Sequence, residues 1–187
     1  MDLVLFGIQG SGKGTQAKRL AVECGFQIFE TGGELRRIAA AGTELGNTVK
    51  SYIDTGKHAP TAIVMQVVSD AIGRIGSGQN ILFDGIPRNP EQMELFNSIM
   101  QKQGRLFHCV QLTLPREEAV QRVLGRAALE GRTDDADESA IRERMRLFDE
   151  KTQPVIAAYR ASGNMIDVDG RGSMEEVYGK LKQAIGQ

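Results

Sequence analysis

Apolar residues fall along this chain in two alternating rhythms. Short runs such as Leu3–Phe6, Gln27–Phe29, Ile81–Phe83, Val110–Leu114 and Met165–Val168 read as buried strands. Longer stretches with helical spacing lie between and after them: Lys13–Cys24, Gly33–Ala41, Leu45–Thr55, Ala62–Ile75, Glu91–Gln103, Arg116–Leu129, Glu138–Ala161 and Met174–Ile185. Strand–helix alternation with buried-looking strands predicts an α/β fold, a parallel sheet covered on both faces. Gly25 at the end of the first helix, Ser77-Gly78 before the third strand and Pro115 at the start of a helix punctuate the pattern as that fold requires.

Two stretches break the alternation. From Thr31 to Thr61 two helical patterns follow the second strand with no strand between them, which predicts an excursion away from the sheet. From Arg126 to Ala136 the residues are small or charged, with Leu129 the one long apolar side chain, and the stretch reads as a surface loop.

Composition narrows the class. The 187 residues carry 23 Lys+Arg against 24 Asp+Glu, a net charge of −1, so no global field collects nucleic acid or an anionic membrane surface. This length favours one domain. No apolar run approaches a membrane span, and the start Met1-Asp2-Leu3-Val4-Leu5-Phe6 is too short and acidic for a secretory signal. Cys24 and Cys109 make neither a disulfide framework nor a four-thiolate zinc site, so a soluble protein of a reducing compartment, the cytoplasm, is expected. His58 and His108 have no ligand partners nearby in sequence, and His108, set in an apolar strand, is expected in the core. The absence of heptads or a long exposed apolar face leads us to expect a monomer.

Basic residues are unevenly distributed. Pro115 to Glu150 holds seven Arg and no Lys, and Arg offers a planar donor fork suited to phosphate. Eight Asp or Glu between Glu117 and Glu143 allow the plainer reading of a salt-bridged surface helix.

The densest chemical signal follows the first strand. Gly7-Ile8-Gln9-Gly10-Ser11-Gly12-Lys13-Gly14-Thr15-Gln16 is a G-x-x-x-x-G-K loop between a strand and a helix, the context that motif needs. Glycines let backbone N–H groups approach phosphate oxygens, the free N–H groups at the helix start face the same anion, and Lys13 adds a mobile charge. Gly14 separates Lys13 from Thr15, so the hydroxyl arrives one residue late for direct metal ligation. In the third strand, Phe83-Asp84-Gly85-Ile86-Pro87-Arg88 places an acid at the carboxyl end, where open α/β sheets bind ligands.

These segments, with Thr31-Gly32-x-x-Leu35-Arg36, Gln92, Gly131-Arg132-x-Asp134-Asp135 and Arg142-x-Arg144, resemble the adenylate kinase family over residues 3 to about 182. The resemblance implies a P-loop three-layer α/β/α fold with a five-stranded parallel sheet, an NMP-binding insertion at about 30–59 and a short lid at about 126–136. It implies reversible transfer of the γ-phosphoryl of ATP to AMP with Mg²⁺. ATP would be held by Gly10, Ser11, Gly12, Lys13, Gly14, Thr15, Arg122, Arg126 and Gly172. AMP would be held by Thr31, Arg36, Lys57, His58, Ala59, Gly85, Ile86, Pro87, Arg88, Gln92, Arg132 and Arg144. Lys13, Arg88, Arg122, Arg132 and Arg144 would stabilise the transferring group, and Asp84 would hold Mg²⁺ through water. Helical periodicity bears on one of these arginines. At about 100° per residue, Arg144 lies roughly 60° from Ile141, on the border of the apolar stripe, whereas Arg146 falls outside it. Arg122 points away from the Val120, Val123 and Leu124 face, and only the resemblance promotes it.

Three positions depart from the family pattern: Gln9 for proline, Gly33 for aspartate and Ile86 for phenylalanine. Gly33 removes a carboxylate near the metal waters. The lid is too short for a zinc-bearing hairpin, so no structural zinc is expected. The sister UMP/CMP kinases share a short lid and the Arg88-Asn89 pair resembles theirs, while Thr31 and Gln92 favour adenine. A non-catalytic nucleotide switch built on the same loop is the rival of another class.

Overall fold

The computed structural model describes residues 1–130 and 138–186; for residues 126–130 and 138 it describes the backbone alone. Five strands form one parallel sheet: β1 (Asp2–Phe6), β2 (Gln27–Glu30), β3 (Ile81–Asp84), β4 (Phe107–Thr113) and β5 (Met165–Asp169), in the order β2-β3-β1-β4-β5. Central β1 pairs with β3 (Val4 opposite Phe83) and with β4 (Val4 opposite Cys109). All five residues of β1 are buried, as a strand covered on both faces must be.

Alternation along the strands divides the core. Val4, Phe6, Phe29, Phe83 and Cys109 face one side, against α4 (Thr61–Ile75), α5 (Pro90–Lys102) and α8 (Gln153–Ala161). Leu3, Leu5, Leu82, Val110 and Leu112 face the other, against α1 (Lys13–Cys24) and α9 (Met174–Ala184). The first face carries an aromatic chain in which Phe83 and Phe96 meet edge-on with centroids 5.1 Å apart, and Phe96 meets Phe107 at 5.3 Å. A third cluster, Ile8, Ala119, Val123, Ile141 and Met145, joins the phosphate loop to α6 (Arg116–Glu130) and α7 (Glu138–Leu147). Helices α2 (Thr31–Ala39) and α3 (Glu44–Asp54) form the expected excursion between β2 and α4.

Four expectations need adjustment. Helix α2 starts at Thr31, with Glu30 as its cap, two residues earlier than its apolar rhythm indicated. Strand β4 starts at Phe107 and stops at Thr113, because the apolar run undercounts a strand whose first residues are only partly covered. His108 is exposed there and not a core residue. Strand β5 begins opposite Cys109, so nothing pairs with β4 at His108 on that side, and its Nδ1 lies 2.9 Å from Asn164 Oδ1. The stretch 138–161 is two α-helices joined by a π-helical turn at Phe148–Thr152, closed by the Gln153 N–H donating to Phe148 O. Pro154, which has no N–H, follows at once and removes the α-helical bond that residue would have made.

Candidate active site

The sheet reverses its winding between β3 and β4, on either side of β1, and a crevice opens there beyond the carboxyl ends of the strands. Strand β1 delivers the glycine loop into it. Gly10 adopts φ +86°, and a Cβ there would stand 2.5 Å from the carbonyl oxygen of Ala119, so loop and α6 are as close as backbone allows. Gly12 caps α1 without any side-chain cap, which leaves the first N–H groups of that helix directed at the loop. Lys13 Nζ donates to the carbonyls of Gly7 (2.6 Å) and Ile8 (3.2 Å), folded back along the loop it serves. Among the described residues Ser11 Oγ is buried without a hydrogen-bond partner, an orphan polar atom inside the glycine loop.

The opposite wall is built by three arginines from three elements. Arg88, four residues past β3, lies between Gly85 and Gln92: its Nε donates to Gly85 O (2.7 Å) and its N–H donates to Gln92 Oε1 (2.8 Å). Among the described residues neither terminal nitrogen of its guanidinium hydrogen-bonds to protein. Burial pushes the Arg88 pKa down, nearby Arg144 and Arg36 add to that shift, and Asp84 and Glu30 oppose it. This is the electrostatic signature of a cation cluster that gains from an arriving anion. Arg36, on α2, donates to Glu30 Oε1 at 2.8 Å. Arg144, on α7, reaches Ile53 O at 3.5 Å, its half-buried position matching the border angle read from periodicity. Exposed Arg146 pairs with Glu143 and Glu150 on the outer face, as the same arithmetic indicates.

Both walls line one continuous cavity of about 750 Å³, at the upper part of the range for small-molecule sites. Gly10, Ser11, Gly12, Lys13, Gly14, Thr15, Arg122 and Gly172 line it, as do Arg36, Lys57, His58, Ala59, Gly85, Ile86, Pro87, Arg88 and Arg144. Arg122 enters by a face of α6 that the apolar pattern did not mark, donating to Gly170 O (3.3 Å) and Glu118 Oε1 (2.6 Å). Asp84, 9% exposed at the end of β3, lies with its Oδ2 3.8 Å from where a Cβ on Gly14 would stand. A hard oxygen donor beside a phosphate loop fits outer-sphere contact with Mg²⁺, which keeps several waters. Among the described residues no three His, Cys, Asp or Glu gather into a metal cluster.

Thr31 and Gln92 are buried but do not line the cavity. Thr31 Oγ1 has no hydrogen-bond partner among the described residues, and the Gln92 amide oxygen is committed to the Arg88 N–H. Arg132 and most of the stretch 126–136 lie outside the described residues, as does the side chain of Arg126. Sequence reasoning missed Glu30, Phe148, Thr152 and Gly170, all of which line the cavity. Glu30 had no signal of its own in the sequence, since only the sheet register sets it opposite Asp84. For Thr152 there was none either.

His58 is half-buried at the cavity wall. Burial pushes its pKa down to about 4, the positive charges of Arg88 and Lys151 add to the effect, and Glu143 opposes it. Its ring is therefore neutral at pH 7.

A strand–glycine loop–helix phosphate cradle at the switch point of a parallel sheet defines a P-loop nucleotide-binding α/β protein. The family model described as adenylate kinase matches residues 5–164. The adenylate kinase of Thermus thermophilus is 38% identical over 185 residues, 98% of this chain and 96% of the relative. Those of Maricaulis maris (38%, 99% of this chain and 98% of the relative) and Stenotrophomonas maltophilia (37%, 99% of each) match over a similar span. This chain belongs to the adenylate kinase family and is an enzyme of nucleoside monophosphate phosphotransfer.

Proposed function

We propose that the chain transfers the γ-phosphoryl group of ATP reversibly to AMP, giving two ADP, with Mg²⁺. One observation carries this reading: a single cavity has an anion-binding glycine loop on one wall and a guanidinium cluster on the other. Two polyanions can meet there end to end.

Phosphoryl transfer asks a protein mainly for in-line positioning and charge stabilisation. In this reading the loop N–H groups and Lys13 hold the donor's β and γ phosphates, and Arg122 and the Gly172 turn flank the donor nucleotide. Arg36, Arg88 and Arg144 hold the acceptor phosphate, with the wall at Lys57, His58 and Ala59 beside its base. Arg126 and Arg132 complete the set from the segment 126–136, acting as a lid, while residues 30–59 form the acceptor-binding insertion. Closure of both would exclude water, the competing acceptor. Asp84 would hold, through water, the Mg²⁺ that accompanies ATP, and the ion would supply charge neutralisation at the donor oxygens. No helix among the described residues is long and apolar enough to cross a membrane; we propose a cytoplasmic monomer.

The test is steady-state phosphotransfer from ATP to AMP, UMP, CMP and GMP. The expected result is a clear preference for AMP; preference for UMP or CMP would assign the chain to the pyrimidine branch instead. Lys13→Met and Arg88→Ala should each lower kcat/KM on the order of 10²–10³-fold, as loss of a preorganised charged donor does, with melting temperature little changed. Retention of most activity in Arg88→Ala would refute the assignment of the acceptor wall.

A further inference from the structure

We infer that Thr152 is a positioning residue for the acceptor, acting through the backbone of Arg88. This rests on the reading of Arg88 as an acceptor-phosphate ligand. Thr152 is 5% exposed, lines the cavity, and donates its hydroxyl proton to the Arg88 carbonyl oxygen at 2.9 Å. Arg88 is thereby braced on both sides of its α-carbon, with its N–H held by Gln92 and its C=O by Thr152, while Gly85 holds Nε. Its terminal nitrogens are left for a ligand, in a direction fixed by three protein contacts.

The π-helical turn explains how Thr152 reaches this position. In an unbroken α-helix, residues 144 and 152 would lie about 80° apart around the axis. The wider i→i+5 turn at Phe148–Thr152 absorbs one residue, which brings the two within about 20° of each other. Arg144 and Thr152 accordingly both line the same cavity. One helical rod thus presents an acceptor-wall guanidinium directly and orients a second one, Arg88, through its main chain. The Thr152 hydroxyl couples the α7–α8 rod to the loop after β3, so the two arginines keep a fixed relative geometry.

The test compares Thr152→Val, which keeps shape and removes the donor, with Thr152→Ser, which keeps the donor. For Thr152→Val the KM for AMP should rise roughly three- to tenfold, the range expected for one lost hydrogen bond. The KM for ATP should stay within twofold, and Thr152→Ser should restore the AMP value. On an Arg88→Ala background, Thr152→Val should add nothing to the AMP KM. A Thr152→Val enzyme that only melts earlier with both KM values unchanged, or whose two KM values rise together, overturns the inference. So does an additive effect on the Arg88→Ala background. If Arg88→Ala itself leaves the AMP KM unchanged, the acceptor-site reading fails first and separately. Thr152→Cys, a weaker donor of similar size, carries the same comparison if valine prevents folding, with an intermediate AMP KM expected.

Discussion

Gly10→Ala adds one methyl group where the glycine loop and α6 approach most closely. Gly10 has φ +86°, and the left-handed region costs an L-residue about 1–2 kcal/mol. The added carbon would also lie 2.5 Å from Ala119 O and 3.0 Å from Val123 Cγ2. Carbon–oxygen contacts settle at about 3.3 Å or more, so loop and helix must part by roughly 0.8 Å. A displacement of about 1 Å in a positioning element costs on the order of 10²-fold in rate. The loop carries Lys13 and the helix carries Arg122, so kcat/KM should fall by about that factor. Gly25→Ala is the control: it has φ +71° at the end of α1, and nothing lies within 4 Å of the new carbon. It should lower the melting temperature by about 2–8 °C from backbone strain alone, with kcat/KM unchanged. Thermal melts and a coupled ADP-formation assay on both variants decide the matter. If Gly10→Ala keeps kcat/KM within threefold of the parent, loop-to-α6 spacing does not limit the reaction and the reasoning fails.

Three further outcomes follow from other parts of the molecule. Arg105→Ala leaves Asp2, 2% exposed, without the guanidinium that grips both its oxygens at 2.6 and 2.8 Å, and strips two loop carbonyls of their donors. Urea titration should show a loss of about 3–5 kcal/mol, with activity intact at 25 °C because the pair lies at the amino end of β1. His58 has a folded pKa near 4 against about 6.5 when unfolded, so below pH 6.5 the unfolded chain takes up its proton first. Stability from this group is complete above pH 6.5 and falls as pH drops toward 4, by about 3 kcal/mol; His58→Leu should flatten that limb of the urea midpoint against pH. Cys109 is fully buried and burial raises its thiol pKa, whereas Cys24 is partly exposed, so a thiol reagent should modify one cysteine in the native protein and the second only on unfolding.

The parts of this molecule legible in its sequence are those with local causes. The central strands β1 and β3 show themselves because a strand covered on both faces is almost wholly apolar, the edge strands β2 and β5, only partly covered, show themselves by shorter mixed runs, and the glycine loop shows itself because only glycine tolerates its backbone. Arg144 was partly legible, since periodicity placed it at the edge of a buried stripe. Arg122 was not, because its use depends on where the β5–α9 turn comes to rest, 48 residues further on. His108 misled for a related reason: an apolar neighbourhood in sequence implied cover that β5, starting one residue too late, does not supply.

The acceptor wall shows the limit most plainly. Arg88 could be marked by its motif, but what aims it could not, because two of its three restraints depend on how chain segments fold together. Gln92 reaches it because Asn89 caps α5 and turns that helix so its first turn faces back on Arg88. Thr152, 64 residues away, reaches it only because a π-helical turn shifts the phase of a helix whose apolar pattern otherwise reads as one continuous α-helix. A period of 3.6 fitted across residues 138–161 averages over that extra residue and conceals it. Residues after the turn are therefore out of phase with the pattern before it, and a side chain assigned to one face on periodicity serves another. The same reasoning applies wherever a proline follows a long helical pattern by a few turns: the residues just ahead of it are where a functional side chain can escape a helical-wheel reading.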